Sequence, residues 1–337
     1  MRNLLTTLFA LAMAVAGTVA AAPALPAYDF YAAVAMTKAQ KNSSTPADSG
    51  LYRRNAAGAW HHFGPRILGV SGLAVHPADP RIVLIASSDG VVRSTDGGRT
   101  WRKTTGWEVA DVRSIVFDPV QPELVYAVTA WGPLRSTDAG ATWQLAQKGL
   151  TLLFGQTMVA DAARSGRVLI GTEGGIYVSR DAAQSWQRAK FPEVPVLRLT
   201  QGSSDAKVLL ATTLGRGAFL SQNGGESWTP VDPATAGANL YAAAIAPQDA
   251  ALLALGGWQA GVRVSADGGR TWTDRTAGLP VKNVFVLAFD PGVKGRLWAS
   301  TFEEGTFYSD DLGRTWQEGG LYGAYGYDFI FIPVARP

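Results

Sequence analysis

One eight-residue pattern returns six times along this chain and leaves few folds open to it. The copies are Ser94-Thr-Asp-Gly-Gly-Arg-Thr-Trp101, Ser136-Thr-Asp-Ala-Gly-Ala-Thr-Trp143, Ser179-Arg-Asp-Ala-Ala-Gln-Ser-Trp186, Ser221-Gln-Asn-Gly-Gly-Glu-Ser-Trp228, Ser265-Ala-Asp-Gly-Gly-Arg-Thr-Trp272 and Ser309-Asp-Asp-Leu-Gly-Arg-Thr-Trp316. A worn seventh copy, Gly50-Leu-Tyr-Arg-Arg-Asn-Ala-Ala-Gly-Ala-Trp60, precedes them, one residue shorter and without the Asp. Successive Trp markers lie 41 to 44 residues apart. A period of that length points to stacked or radially repeated units, each too small to bury its own core.

Each period has the same internal order. In the third, Val112 to Asp118 alternates, Pro119 to Pro122 turns, and Leu124 to Thr129, Gly132 to Ser136 and Thr142 to Leu145 supply three further β-rich runs. Four short strands joined by turns form a meander, the unit of a propeller blade. Seven periods therefore predict an all-β, seven-bladed β-propeller of four-stranded antiparallel blades. Gly in the turn accepts positive φ, and Asp accepts hydrogen bonds from the turn's own amides. The Trp brings a large apolar ring to the boundary between blades. Asp96, Asp138, Asp181, Asn223, Asp267 and Asp311, with Trp101, Trp143, Trp186, Trp228, Trp272 and Trp316, are read as structural, with direct ligand contact as the alternative.

These segments resemble the Asp-box, or BNR, repeat, Ser-x-Asp-x-Gly-x-Thr-Trp, over residues 50 to 320. The resemblance implies the fold more than the function, because Asp-box proteins include sialidases, xyloglucan-active glycosidases, sortilin-type receptors and photosystem II assembly and stability factors. The one-propeller assembly factors are the most similar in length and uniform spacing. The resemblance also implies that the box lies between third and fourth strands. Binding is then expected on the opposite face, made by interblade connections and by loops between second and third strands.

The ends of the chain predict how the ring closes. Tyr327 to Pro333 reads as a first strand with no partners after it. Phe30 to Thr37 reads as a second strand, with Leu51 to Arg54 and Ala59 to Phe63 as third and fourth. The last strand then completes the first blade and protects both terminal edges. Ahead of this lies a charged Met1-Arg2-Asn3, an apolar stretch from Leu4 to Val19 and small residues, the layout of a secretory signal peptide over 1–27 with cleavage after Ala22 or Ala27. Residues 28–337 are then a single propeller, periplasmic or secreted, with no membrane span after cleavage and expected to be monomeric. The absence of Cys removes disulfide scaffolds, zinc-thiolate sites and thiol nucleophiles. Thirty Lys and Arg against 27 Asp and Glu, without a basic run, give no nucleic-acid groove.

On the expected binding face the chain offers Trp107, Glu108, Trp131, Arg216, Trp258 and Tyr322, together with Phe154, Phe302 and Tyr325. Exposed aromatics beside charges suit a glycan, a peptide or a protein surface; packing of loop against loop is the alternative. Aligning the innermost strands on Ser114 places Gly72, Thr157, Arg198, Ala242, Val286 and Asp328 toward the channel, where Arg198 and Asp328 pair as structure or form a ligand site. Of the 11 Trp, seven mark repeats and Trp298 falls on a second strand, in the core.

Two function classes follow. The first is an exported, non-catalytic binding or assembly module presenting its loop face to a protein partner or glycan. The second is a glycoside hydrolase of sialidase or xyloglucanase type. A sialidase needs an arginine cluster, for which Arg66, Arg198 and Arg216 are the candidates. An inverting glycosidase needs two carboxylates about 6.5 to 9.5 Å apart, for which Glu173, Glu303, Glu304 and Asp111 are formal candidates. Asp118-Pro119 and Asp290-Pro291 read as turns. His61 and His62, neighbours on a strand, point to opposite faces. No cofactor and no metal are expected.

Overall fold

Each period of the repeat is one four-stranded antiparallel sheet, and there are seven of them. The computed structural model describes residues 27–35, 49–67 and 69–334. The expected signal peptide, apart from Ala27, and the end of the strand expected to reach Thr37 lie outside the described residues; the strand itself runs Tyr28–Val34. From blade 1 to blade 7 the innermost strands are Gly326–Pro333, Gly72–Val75, Val112–Phe117, Gly155–Ala160, Val196–Gln201, Leu240–Ala246 and Val284–Phe289. The second strands are short apolar runs such as Val125–Thr129 and Val168–Thr172, buried along their whole length because both faces meet a neighbouring blade.

The ring closes as the strand order predicts. Gly326–Pro333 pairs antiparallel with Tyr28–Val34, in register from Tyr28 opposite Pro333 to Ala33 opposite Asp328. Blade 1 is thus built from both ends of the chain.

The core is divided among the blade boundaries. Seven apolar clusters each join two adjacent blades, and each has one repeat-marker Trp packed against it or within it. Trp143, Trp186 and Trp316 donate their indole N–H to Thr104 Oγ1, Ala146 O and Arg275 O of the preceding blade. Trp60 does the same to Gly319 O across the closure seam, at 2.7 Å. The worn seventh copy has lost its Asp but kept this tie. Trp298 is 1% exposed and fills the core between blades 7 and 1.

The boxes explain their own residue types. Ser94 Oγ donates to Asp96 Oδ1 at 2.7 Å and accepts from Gly98 N. Asp96 in turn accepts from Arg99 N, Thr100 N and Thr100 Oγ1. Two successive residues take positive φ, 74° at Gly97 and 87° at Gly98. Ala139 and Leu312 hold the first of these places without being Gly, at φ 54° and 61°, a strain the surrounding hydrogen bonds must hold. In blade 5 Asn223 Nδ2 donates to Ser227 Oγ, reversing the polarity of one bond while keeping the cage. Asp118 and Asp290 cap turns as expected, each accepting two amides of its own turn, and Asp118 accepts a third from Gly166 N of blade 4.

The box carboxylates make stability acid-sensitive. Hydrogen bonds from Thr271 and Ser265 hold Asp267 at about 2, and those from Thr315 and Ser309 hold Asp311 at about 2. Folded-state values below the unfolded value mean stability that is present above about pH 4 and lost as pH falls toward 2. Urea unfolding across pH should give a plateau at neutral pH and a decline between pH 4 and 2. Asp267→Asn should make that decline shallower; a flat profile down to pH 2 would contradict the assignment.

Candidate functional site

The antiparallel meander puts the boxes at one end of the ring and the loops between second and third strands at the other. At that second end the innermost strands depart from simple alternation. Register shifts skip one residue between Val112 and Ser114, Gly155 and Thr157, Val196 and Arg198, Leu240 and Ala242, and Val284 and Val286. A corresponding shift in blade 1 falls at Tyr327, between Gly326 and Asp328. A bulge re-aims the extra side chain. Here the extra residues Arg113, Gln156, Leu197, Tyr241, Phe285 and Tyr327 all line one cup of about 400 Å³ at the channel mouth.

The cup has two unlike sides. On blades 6, 7 and 1 the aromatic rings touch in series. Tyr241 stacks on Phe285 at 5.1 Å, Trp258 meets Phe302 at 5.7 Å, and Phe302 stacks on Tyr325 at 5.8 Å. Tyr325 meets Tyr327 at 5.5 Å, with the two hydroxyls 3.3 Å apart. Burial, then the bond to Tyr325, pushes the Tyr327 hydroxyl well above its ordinary pKa, so it stays protonated. On blades 3 and 4 Arg113 lies 4.5 Å over the Phe154 ring, bonds Asp111 Oδ2 at 2.7 Å and donates to Gln156 Oε1 at 2.6 Å.

Beneath the cup Arg198 Nη2 donates to Asp328 Oδ1, an ion pair spanning the channel from blade 5 to blade 1. Gly72, Ser114, Thr157, Arg198 and Asp328 line the channel as aligned. Ala242 and Val286 hold the same register as Ser114 and Arg198 but are closed off from the channel space. They are 2% and 3% exposed and belong to the apolar clusters at blade boundaries.

The other expected residues spread over several places. Trp258 packs on Phe285 and Phe302 of the aromatic side but is not among the residues that line the cup. Trp107, 91% exposed, and Trp131, 66% exposed, lie on the connection and loop beside blade 3. There Glu108 and Trp131 border a separate cleft of about 200 Å³ with Thr105 and Trp143. Tyr322 and Arg216 are exposed on the blade 7 to blade 1 connection and on a blade 5 loop. Of the candidate arginines, Arg198 lines the cup together with Arg113, while Arg66 and Arg216 are not among its lining residues. Of the four candidate carboxylates only Asp111 lines it, and Arg113 already engages it. Glu173 is exposed on the blade 4 loop, and Glu303, at φ 58°, and Glu304 are half-buried on the blade 7 loop. Among the described residues no group of three or more His, Asp or Glu is placed to hold a metal ion. No helix there is long and apolar enough to cross a membrane.

Comparison with known proteins agrees with this architecture. The BNR/Asp-box repeat family model matches residues 307–318. The chain is a seven-bladed β-propeller whose last box matches the Asp-box repeat. A second family model, Sortilin-Vps10 (sortilin, neurotensin receptor 3), matches residues 133–257 of the propeller. No curated protein matches the sequence significantly. Among solved structures, the GH74 enzyme of Niastella koreensis aligns with TM-score 0.69 at 18% identity over 87% of this chain and 54% of its own. The GH74 xyloglucanase from Xanthomonas campestris gives 0.67 at 18% identity, over 90% and 55%. YCF48 bound to D1 peptide gives 0.60 at 18% identity, over 80% and 94%. The propeller therefore spans about half the length of the GH74 enzymes. At these identities the likeness is one of fold.

Proposed function

We propose that this propeller is an exported, non-catalytic binding module whose cup holds a segment of a partner protein. The observation that carries the reading is the ring of bulge residues, which sets a wall of aromatic side chains opposite Arg113 and Asp111 over a floor closed by Arg198 and Asp328. Flat apolar area with a few fixed polar groups is how a peptide is held, and a rigid ring loses little entropy on binding. YCF48, a propeller of similar extent, has been seen with a peptide bound. Export rests on the N-terminal sequence.

A second reading, glycoside hydrolysis, draws on the GH74 structures. The carboxylates at hand, Asp111 in the wall and Asp328 in the floor, are each paired with an arginine, Arg113 and Arg198. Selection from a displayed peptide library, beside a screen of fluorogenic glycosides, tests both. Selected peptides are expected to bind the cup, and Tyr325→Ala or Tyr241→Ala to weaken them at least about tenfold, or about 1.4 kcal/mol, with little change in melting temperature. Glycoside turnover abolished by Glu303→Gln or Glu304→Gln would overturn the non-catalytic reading.

A further inference from the structure

The worn repeat of blade 1 creates a second place of interest, on the opposite end of the ring from the cup. Counting from Gly50 as from Gly90, Arg54 stands where Ser94 stands in blade 2. In the six complete boxes that serine is at most 2% exposed and organises the turn around its Asp. In blade 1 the turn is held instead by Asn55, whose Oδ1 accepts from Ala59 N at 2.8 Å. Among the described residues the Arg54 side chain makes no hydrogen bond in the turn, although its guanidinium packs beside Gly58. Its guanidinium lies 5.0 Å over the Trp298 ring and lines an open pocket of about 850 Å³ at the seam between blades 1 and 7.

Among the described residues no carboxylate oxygen lies within ion-pair distance of Arg54, and Asp290 acts on it only at longer range. Arg53, Arg167, Arg263 and Arg296 each have an Asp oxygen at 2.6 to 2.8 Å. No such ion pair forms at Arg54, and its Nε is buried without a hydrogen-bond partner among the described residues. Burial and the nearby Arg296 charge pull its pKa below the ordinary arginine value, the direction expected of a desolvated cation without a partner. Of the pocket's two carboxylates, Asp29 is ion-paired and Asp290, whose charge acts on Arg54, is held in its turn. Asp29 binds Arg53, and Asp290 accepts from Gly292 N, Val293 N and Trp298 Nε1. His61, held by Asn55, completes the polar lining.

We propose that this seam pocket binds a small oxyanion, a carboxylate or a phosphate group, through the Arg54 guanidinium. The planar fork suits either anion, and stacking on Trp298 holds it in one orientation. Because the pocket is lined by both partners of the closing strand pair and by the blade 7 turn, an occupant would brace the seam as well as fill it.

Thermal unfolding with inorganic phosphate and, separately, with citrate, each against sodium chloride at equal ionic strength, tests the proposal. The expected result is a saturable rise of about 3 °C or more at ten times the Kd for at least one anion, and the more potent one names the class. Arg54→Met, which keeps the packing on Trp298, should weaken binding at least about tenfold. If that variant does not fold, Arg54→Lys, which keeps the charge but loses the fork, should show the same weakening. No rise beyond that of chloride, or a rise unchanged in the folded variant, overturns the site.

Discussion

A chain ending at Tyr325 will not form a closed ring. Truncation there removes Gly326–Pro333, the innermost strand of blade 1, and with it the ladder that covers Tyr28–Val34. Phe329, 7% exposed, and Phe331, stacked on Phe30 at 4.3 Å, are lost together, and Arg198 loses Asp328. Phe329→Ala alone is expected to cost about 3–5 kcal/mol, a large part of the roughly 5–15 kcal/mol available to a folded domain. The truncated chain also bares the edge of a strand whose Ala32, Ala33 and Val34 are at most 1% exposed in the ring. An uncovered apolar edge recruits other chains. Circular dichroism on heating should show no cooperative transition, and size exclusion should show aggregates. A monomeric truncated protein with a sharp transition would mean that the other blades hold together without the closing strand.

The second large effect is expected at Asp161→Asn. Arg167 Nη1 donates to Asp161 Oδ2 at 2.6 Å, and both side chains are 4% exposed. Arg167 also donates to Gly224 O in the blade 5 box, so the pair ties blade 4 to its neighbour. Asparagine keeps the acceptor that takes Ala163 N but removes the charge. The guanidinium would then be buried with Glu226 as its nearest carboxylate, at 3.6 Å and half exposed to water. Breaking a buried pair from one side costs about 3–5 kcal/mol, here a fall in melting temperature of roughly 10 °C. Replacing both residues together, Asp161→Leu with Arg167→Met, should recover much of the loss, since no unpaired charge remains. If the single variant melts within a degree or two of the parent, the pair contributes little and the tie between blades lies elsewhere.

How much of this was legible in the sequence depends on the range over which each feature is encoded. The box is a local device, and the types at Ser94, Asp96, Gly98 and Thr100 are those its hydrogen bonds need. Repetition of a local device at a fixed period is readable without any structure. Closure was readable too, because Tyr327 to Pro333 is a first strand without followers. The candidate site was less legible. Trp258, Phe302 and Tyr325 stood out as aromatics on loops, but Arg113, Gln156, Leu197, Tyr241, Phe285 and Tyr327 sit inside strands, where alternation assigns them to a blade face. A bulge adds one residue without changing composition, so only the pairing register reveals it.

The sequence by itself determined the number of blades, the position of every box and the strand that closes the ring, because each is written in contiguous residues and copied along the chain. The tertiary structure decided which side chains meet. It turned six bulge residues into one cup and left Arg54 over Trp298 without an ion-paired carboxylate, whereas the meeting of Arg198 with Asp328 was already one of the readings of the aligned strands. Those meetings depend on how seven similar sheets tilt and register around a common axis, a property of the assembled ring that no single repeat contains.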